Sequence, residues 1–131
     1  MNTLNATIQT IQTVENLNIV AFRFQNQTLK MMSLDLEECI QVNTAVKLYF
    51  KPTTVAIAKD ITGELSICNQ LSVKILSLEV GALLSVLHLS FYGQTLESII
   101  TSSSLKRLNL QVGDKVLALI KSSDLSIKEV L

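Results

Sequence analysis

The sequence predicts an all-β chain made of two tandem copies of one small five-stranded barrel, each copy carrying one short helical turn. Three observations lead there. The chain repeats itself, its apolar residues alternate with a period near two, and glycine or asparagine marks the same turns in both copies.

The repeat is read by sliding the chain over itself. At a shift of 67, Asn2 falls on Asn69, Leu4 on Leu71, Ile8 on Ile75, Phe24 on Phe91, and Gln27-Thr28-Leu29 on Gln94-Thr95-Leu96. After Leu34 the shift becomes 70, and Gln41, Val42, Val46, Lys51 and Ile57 fall on Gln111, Val112, Val116, Lys121 and Ile127, so the first copy has lost three residues. Gly93 in FYGQTL is replaced by Asn26, and Gly113 in QVGDKV by Asn43. These are the residues that most readily take positive φ, which predicts the same two tight turns in each copy.

The elements follow in order. Alternation over Leu4–Thr13 and Leu71–Val80 gives the first strands, Leu17–Gln25 and Leu84–Tyr92 the second, and Thr28–Ser33 and Thr95–Thr101 the third. A helical turn is expected at Asp35–Cys39 and at Ser103–Leu108, then strands at Val46–Lys51 and Val116–Lys121, and last ones at Val55–Ala58 and Leu125–Lys128. DITGELS, with Gly63, is the expected joint between a first domain, 1–62, and a second, 63–131.

Composition narrows the function. Eleven basic residues balance eleven acidic ones, which removes the electrostatic footprint needed to bind nucleic acid or an anionic membrane directly. Two cysteines, Cys39 and Cys68, have neither metal-ligand spacing nor the density of a secreted disulfide scaffold, in keeping with a reducing cytoplasm. The N-terminus has no basic region followed by an apolar run, and Val80–Leu89, interrupted by Ser85 and His88, is too short to span a bilayer. No nucleophile–histidine–acid motif, phosphate-binding glycine loop or metal cluster points to an enzyme. Each unit is small enough to be marginal alone, so oligomerisation is expected.

Three segments of the second copy carry a family resemblance. SICNQL (Ser66–Leu71), IITSSSLKRLNLQVGDKV and ALIKSSDL resemble the opening Ser-Ala-Arg-Asn-Gln-Leu, the Thr-x-x-Ser to Gly-Asp-x-Val run and the Ala-Leu-Ile-Lys-Ala-Ser of the Mop, or TOBE, family of molybdate-binding domains. The resemblance implies two OB-like barrels, exchange of strands between chains, a homo-oligomer with a trimer favoured, and oxyanion sites where subunits meet. It implies a cytoplasmic molybdate and tungstate binder for molybdenum storage or homeostasis, with no enzymatic activity. The alternative is a regulatory or oligomerisation module of a molybdate-responsive system; because Met1 already lies in the first repeat, that module is expected to act through a partner chain.

Carried over by position, Ser66, Thr101, Ser104, Lys121 and Ser122 line the implied site, with Ser102 beside them and Cys68 where the family has arginine. The first copy is degenerate: Met1 stands at the arginine position, Pro52 at that of Ser122, and Lys51, with Ser33 nearby, is what remains of the ligands. The chemistry is consistent, since a tetrahedral dianion needs hydroxyl, N–H and ammonium donors, and phosphate, partly protonated, would turn a proton toward other donors. Thr101 and Ser104 sit at the start of the expected helical turn, where free N–H groups favour anions, and Lys121 adds charge. Without the resemblance, Ser104 reads equally as a helix N-cap, Lys51 and Lys121 as solvated lysines, and His88 as a hydrogen-bonded strand residue. Cys39 and Cys68 then read as buried or edge residues, and Asp35, Glu37 and Glu38 as a solvated helix start.

Overall fold

Alternation of apolar residues produces ten strands in the computed structural model, which describes residues Met1–Leu131. The first repeat contributes β1 (Asn2–Val14), β2 (Leu17–Phe24), β3 (Gln27–Leu34), β4 (Ala45–Phe50) and β5 (Ala56–Ala58). The second contributes β6 (Asn69–Val80), β7 (Leu84–Phe91), β8 (Gln94–Thr101), helix α1 (Ser102–Arg107), β9 (Lys115–Ile120) and β10 (Ser126–Val130). They form two five-stranded sheets, ordered β10-β4-β1-β2-β3 and β5-β9-β6-β7-β8, each curled as an OB-like barrel.

The two orders hold the main surprise. β5 leaves the first repeat to pair with β9, and β10 leaves the second to pair with β4. The strand exchange expected between chains therefore occurs within one chain, between its two halves. Each sheet is completed by the last strand of the other repeat.

Long first strands serve two partners by bending. β1 pairs with β4 over Asn2–Thr7 and with β2 from Thr7 to Val14, with a bulge between Ile8 and Thr10. β6 does the same with β9 and β7, its bulge lying between Ile75 and Ser77. Bulges of this kind add local twist and turn a strand through a barrel corner. The loop ahead of β4 or β9 then closes on the bulge, through Ile8 N–H to Thr44 O and Asn43 N–H to Ile8 O, and through Ile75 N–H to Asp114 O and Gly113 N–H to Ile75 O. Asn43 and Gly113 make that closure at φ of 70° and 94°, as their shared turn position predicts.

A single apolar core runs through both sheets, with Phe22, Phe50, Phe91, Ile8, Ile75 and Leu48 almost wholly buried. Phe24 and Phe91, equivalent residues of the two repeats, stack with centroids 5.3 Å apart. Buried Asn2 and Asn69 extend the symmetry. Asn2 Nδ2 donates to Glu97 O at 2.8 Å and its Oδ1 accepts from Glu97 N–H at 2.7 Å; Asn69 does the same with Lys30, at 2.9 and 2.8 Å. Each amide mimics a peptide group and stitches one repeat to the third strand of the other.

Two expectations need correction. The helical turn at Asp35–Cys39 does not form; after β3 the chain makes a bend and a turn there, because the three missing residues leave too little chain for the helix that the second repeat builds as α1. At the β2–β3 hairpin the positive φ falls on Gln25, at 54°, and not on Asn26, whereas Tyr92 and Gly93 are both positive at 47° and 77°. Two positive φ values are the mark of a type I′ hairpin, and one at its first position is that of type II′.

Candidate oxyanion-binding site

Strand exchange decides which side chains meet. Lys51 leaves β4 in extended conformation and enters a 3₁₀ turn, Pro52–Thr54, that packs against β8 of the second repeat. Lys121 leaves β9 in the same conformation and enters the turn Ser122–Asp124, which packs against β3 of the first. Pro52 is tolerated because the first residue of such a turn has no use for its N–H. Each lysine carbonyl closes its turn, accepting from Thr54 N–H at 3.0 Å and from Asp124 N–H at 2.9 Å.

Around Lys121 a basin of about 120 Å³ is lined by Ser66, Lys121, Ser122 and Ser123 over Met32 and Ile67. Cys68, exposed beside it, places Sγ 3.2 Å from Ser122 Oγ. Four of the expected residues, Ser66, Cys68, Lys121 and Ser122, are thus gathered in one place. No carboxylate lines the basin.

Thr101 and Ser104 lie elsewhere, in a basin of about 430 Å³ shared with Thr53, Thr54 and the apolar Leu84 and Ile99. Thr101 caps α1, its Oγ1 accepting from Ser104 N–H at 3.2 Å and donating to Ser104 Oγ at 2.9 Å. The N-cap reading and the ligand reading therefore fall on the same hydroxyls. Lys51 adjoins this basin through its turn but does not line it. Within one chain, then, the expected residues are divided between two basins, each built from both repeats.

Ser102 departs from its expected place. It is 2% exposed, its Oγ donates to Gly81 O at 2.8 Å and, with its one proton so used, accepts from the Ser85 hydroxyl at 2.7 Å, so it packs α1 onto β7 and offers nothing to a ligand. Arg107 was missed. Its Nη2 reaches Ser104 Oγ at 3.4 Å, bringing a guanidinium to the rim of the second basin. The signal was the spacing of three between Ser104 and Arg107, which puts both on one face of a helix.

Elsewhere the charges have structural partners. Asp114 lies below the usual carboxylate range because its Oδ2 accepts from Gln111 N–H at 2.9 Å and, secondarily, from Lys59 Nζ at 3.1 Å. Lys59 also donates to Asn109 O at 2.9 Å, tying the end of exchanged β5 to the loop before β9. His88 Nε2 lies 2.7 Å from Glu79 Oε2, the hydrogen-bonded strand histidine of the simpler reading. Cys39 and Cys68 are free and exposed, Cys39 in the turn after β3 and Cys68 just ahead of β6, so the buried reading does not hold. No three His, Cys, Asp or Glu side chains gather to hold a metal ion, and no helix is long and apolar enough to cross a membrane.

Two strand-sharing barrels thus place donor-lined, acid-free basins where the repeats meet. Comparison with known proteins gives the family. The TOBE domain model matches residues 65–127. A "Probable molybdenum-pterin-binding protein" of Haemophilus influenzae is 32% identical over 65 residues, which cover 49% of this chain and 94% of that protein. Among solved structures, the cytoplasmic molybdate-binding protein ModG, with molybdate bound, superposes with a TM-score of 0.89 at 22% identity, covering 96% of this chain and 94% of its own, and so has the same fold. A molybdate-binding protein from Sporomusa ovata aligns with 46% of the chain at a TM-score of 0.45. The chain belongs to the Mop/TOBE family, whose relatives here are named as binding proteins, and it is a binding protein and not an enzyme.

Proposed function

We propose that the chain binds molybdate, and tungstate by the same chemistry, and buffers or stores the oxyanion in the cytoplasm. The observation that carries this reading is the meeting of Ser66, Lys121 and Ser122 in a basin without carboxylates. Such a basin offers a tetrahedral dianion donors and no fixed acceptor. It is supported by the Haemophilus relative, named as a probable molybdenum-pterin-binding protein, and by ModG, named as a molybdate-binding protein. In the second basin Thr101 and Ser104 supply hydroxyls and Arg107 the charge that Cys68 no longer provides in the first. Both basins are open on a single chain, and a homo-oligomer, a trimer by family resemblance, would close them. The sequence domains 1–62 and 63–131 then act as one unit, each basin drawing on both.

Calorimetric titration with molybdate tests the reading. A charge-assisted hydrogen bond contributes about 1.5 to 3 kcal/mol, so Lys121→Ala is expected to weaken binding roughly 10- to 100-fold. An unchanged affinity, or no heat from the unmodified protein at millimolar molybdate, overturns it. Native mass spectrometry with and without molybdate reads the assembly and its stoichiometry.

A further inference from the structure

We propose that the outer face of the second sheet holds a separate site for a small phosphate monoester, in the groove formed by Lys74, Lys115, Ser72 and Ser90 beneath the Asp60–Ile61 segment. At about 500 Å³ this groove is larger than either basin described above and shares no residue with them. Lys74 stands directly opposite Lys115 in the β6–β9 register and directly opposite Ser90 in the β6–β7 register. The lysine salt bridges of the molecule join Lys47 to Glu129 and Lys59 to Asp114, so neither groove ammonium is held in one. Like charges directly opposite across a strand pair destabilise a sheet, and a bound dianion between them reverses that sign.

The rest of the groove says what the anion is attached to. Beyond β5 the chain turns at Asp60, with φ of 54°, and lays half-exposed Ile61 along one wall. An apolar wall serves an organic body, and the Asp60 carboxylate accepts from an N–H or O–H on that body while repelling a bare anion. The bulged barrel makes the same groove in the first repeat, where Asn5, Thr7, Arg23 and Ala45 line about 300 Å³. There Thr7 and Ala45 stand in place of the two lysines, so the paired charge is particular to the second repeat.

The two repeats also supply the test, because Lys74→Thr with Lys115→Ala installs residues the first repeat already folds with. Amide shifts are followed by NMR at constant ionic strength with 4-aminophenyl phosphate, inorganic phosphate and 4-aminophenol as probes. The expected result is saturable shifts at Lys74, Ser90 and Lys115 with the ester, at least tenfold weaker binding of the other two probes, and at least tenfold weaker ester binding by the double variant. Without any probe, the double variant should melt at the same or a higher temperature. Non-saturating shifts, equal binding by the double variant, or shifts confined to Lys121 and Thr101 overturn the proposal; inorganic phosphate binding as tightly as the ester overturns its ester part.

Discussion

A run of three serines, Ser102 to Ser104, shows how much a single position on a helix decides. Ser102 lies on the same side of α1 as buried Leu105 and turns its hydroxyl inward, while Ser104, two residues on and so about 200° round the helix, meets Thr101 and Arg107 at the rim of a basin. Ser102→Ala leaves Ser85 Oγ without its partner, and burying an unmatched hydroxyl costs roughly 1 to 3 kcal/mol. Urea denaturation should show that loss with molybdate affinity per folded molecule unchanged; Ser104→Ala should show the opposite pattern. Asn69→Ala is expected to cost a similar amount, about 1 to 3 kcal/mol, because both the N–H and the C=O of Lys30 lose the partner that stands in for a neighbouring strand. The motif around Asn69 was visible in the sequence. What the side chain does was not, because its partner lies in the other repeat and no local pattern encodes it.

Among the elements, strands were the most legible and their partners the least. Period-two alternation located every strand, and the Asn43/Gly113 exchange located the bulge-closing turns, since both signals are local. The exchange of β5 and β10 left no mark in the sequence: Ala56–Ala58 and Ser126–Val130 would show the same alternation whichever sheet they joined. That one ambiguity also divided the candidate site, since the turns after Lys51 and Lys121 follow their strands across to the opposite repeat. Electrostatics helps hold the exchange in place at Lys59 and Asp114. The Asp114 carboxyl titrates below the ordinary aspartate value of 3.8, so the stability it adds is full above that value and is lost as pH falls through its lower folded value. Asp114→Asn should therefore lower the melting temperature at neutral pH, and the gap to the unmodified protein should close under strongly acidic conditions, as read by circular dichroism across pH.

For the molecule as a whole, a continuous core and reciprocal strands mean that neither half has a complete sheet of its own. Near- and far-ultraviolet circular dichroism should report one coincident thermal transition, and two separated midpoints would show that the repeats unfold independently. Expressed alone, residues 63–131 leave β9 with a bare edge and β10 with no sheet to join. Such edges recruit other chains, so this fragment should elute as a dimer or larger species in size exclusion with light scattering.

Duplication usually frees one copy to drift or disappear, but here each copy owns a strand the other needs. Side chains around the binding basins are free to change in the N-terminal copy while its backbone stays indispensable to its neighbour. A recombination event that excised either half would remove a structural part from both barrels at once, so this lineage can lose binding chemistry gradually but cannot return to a single-copy gene without rebuilding its pairing.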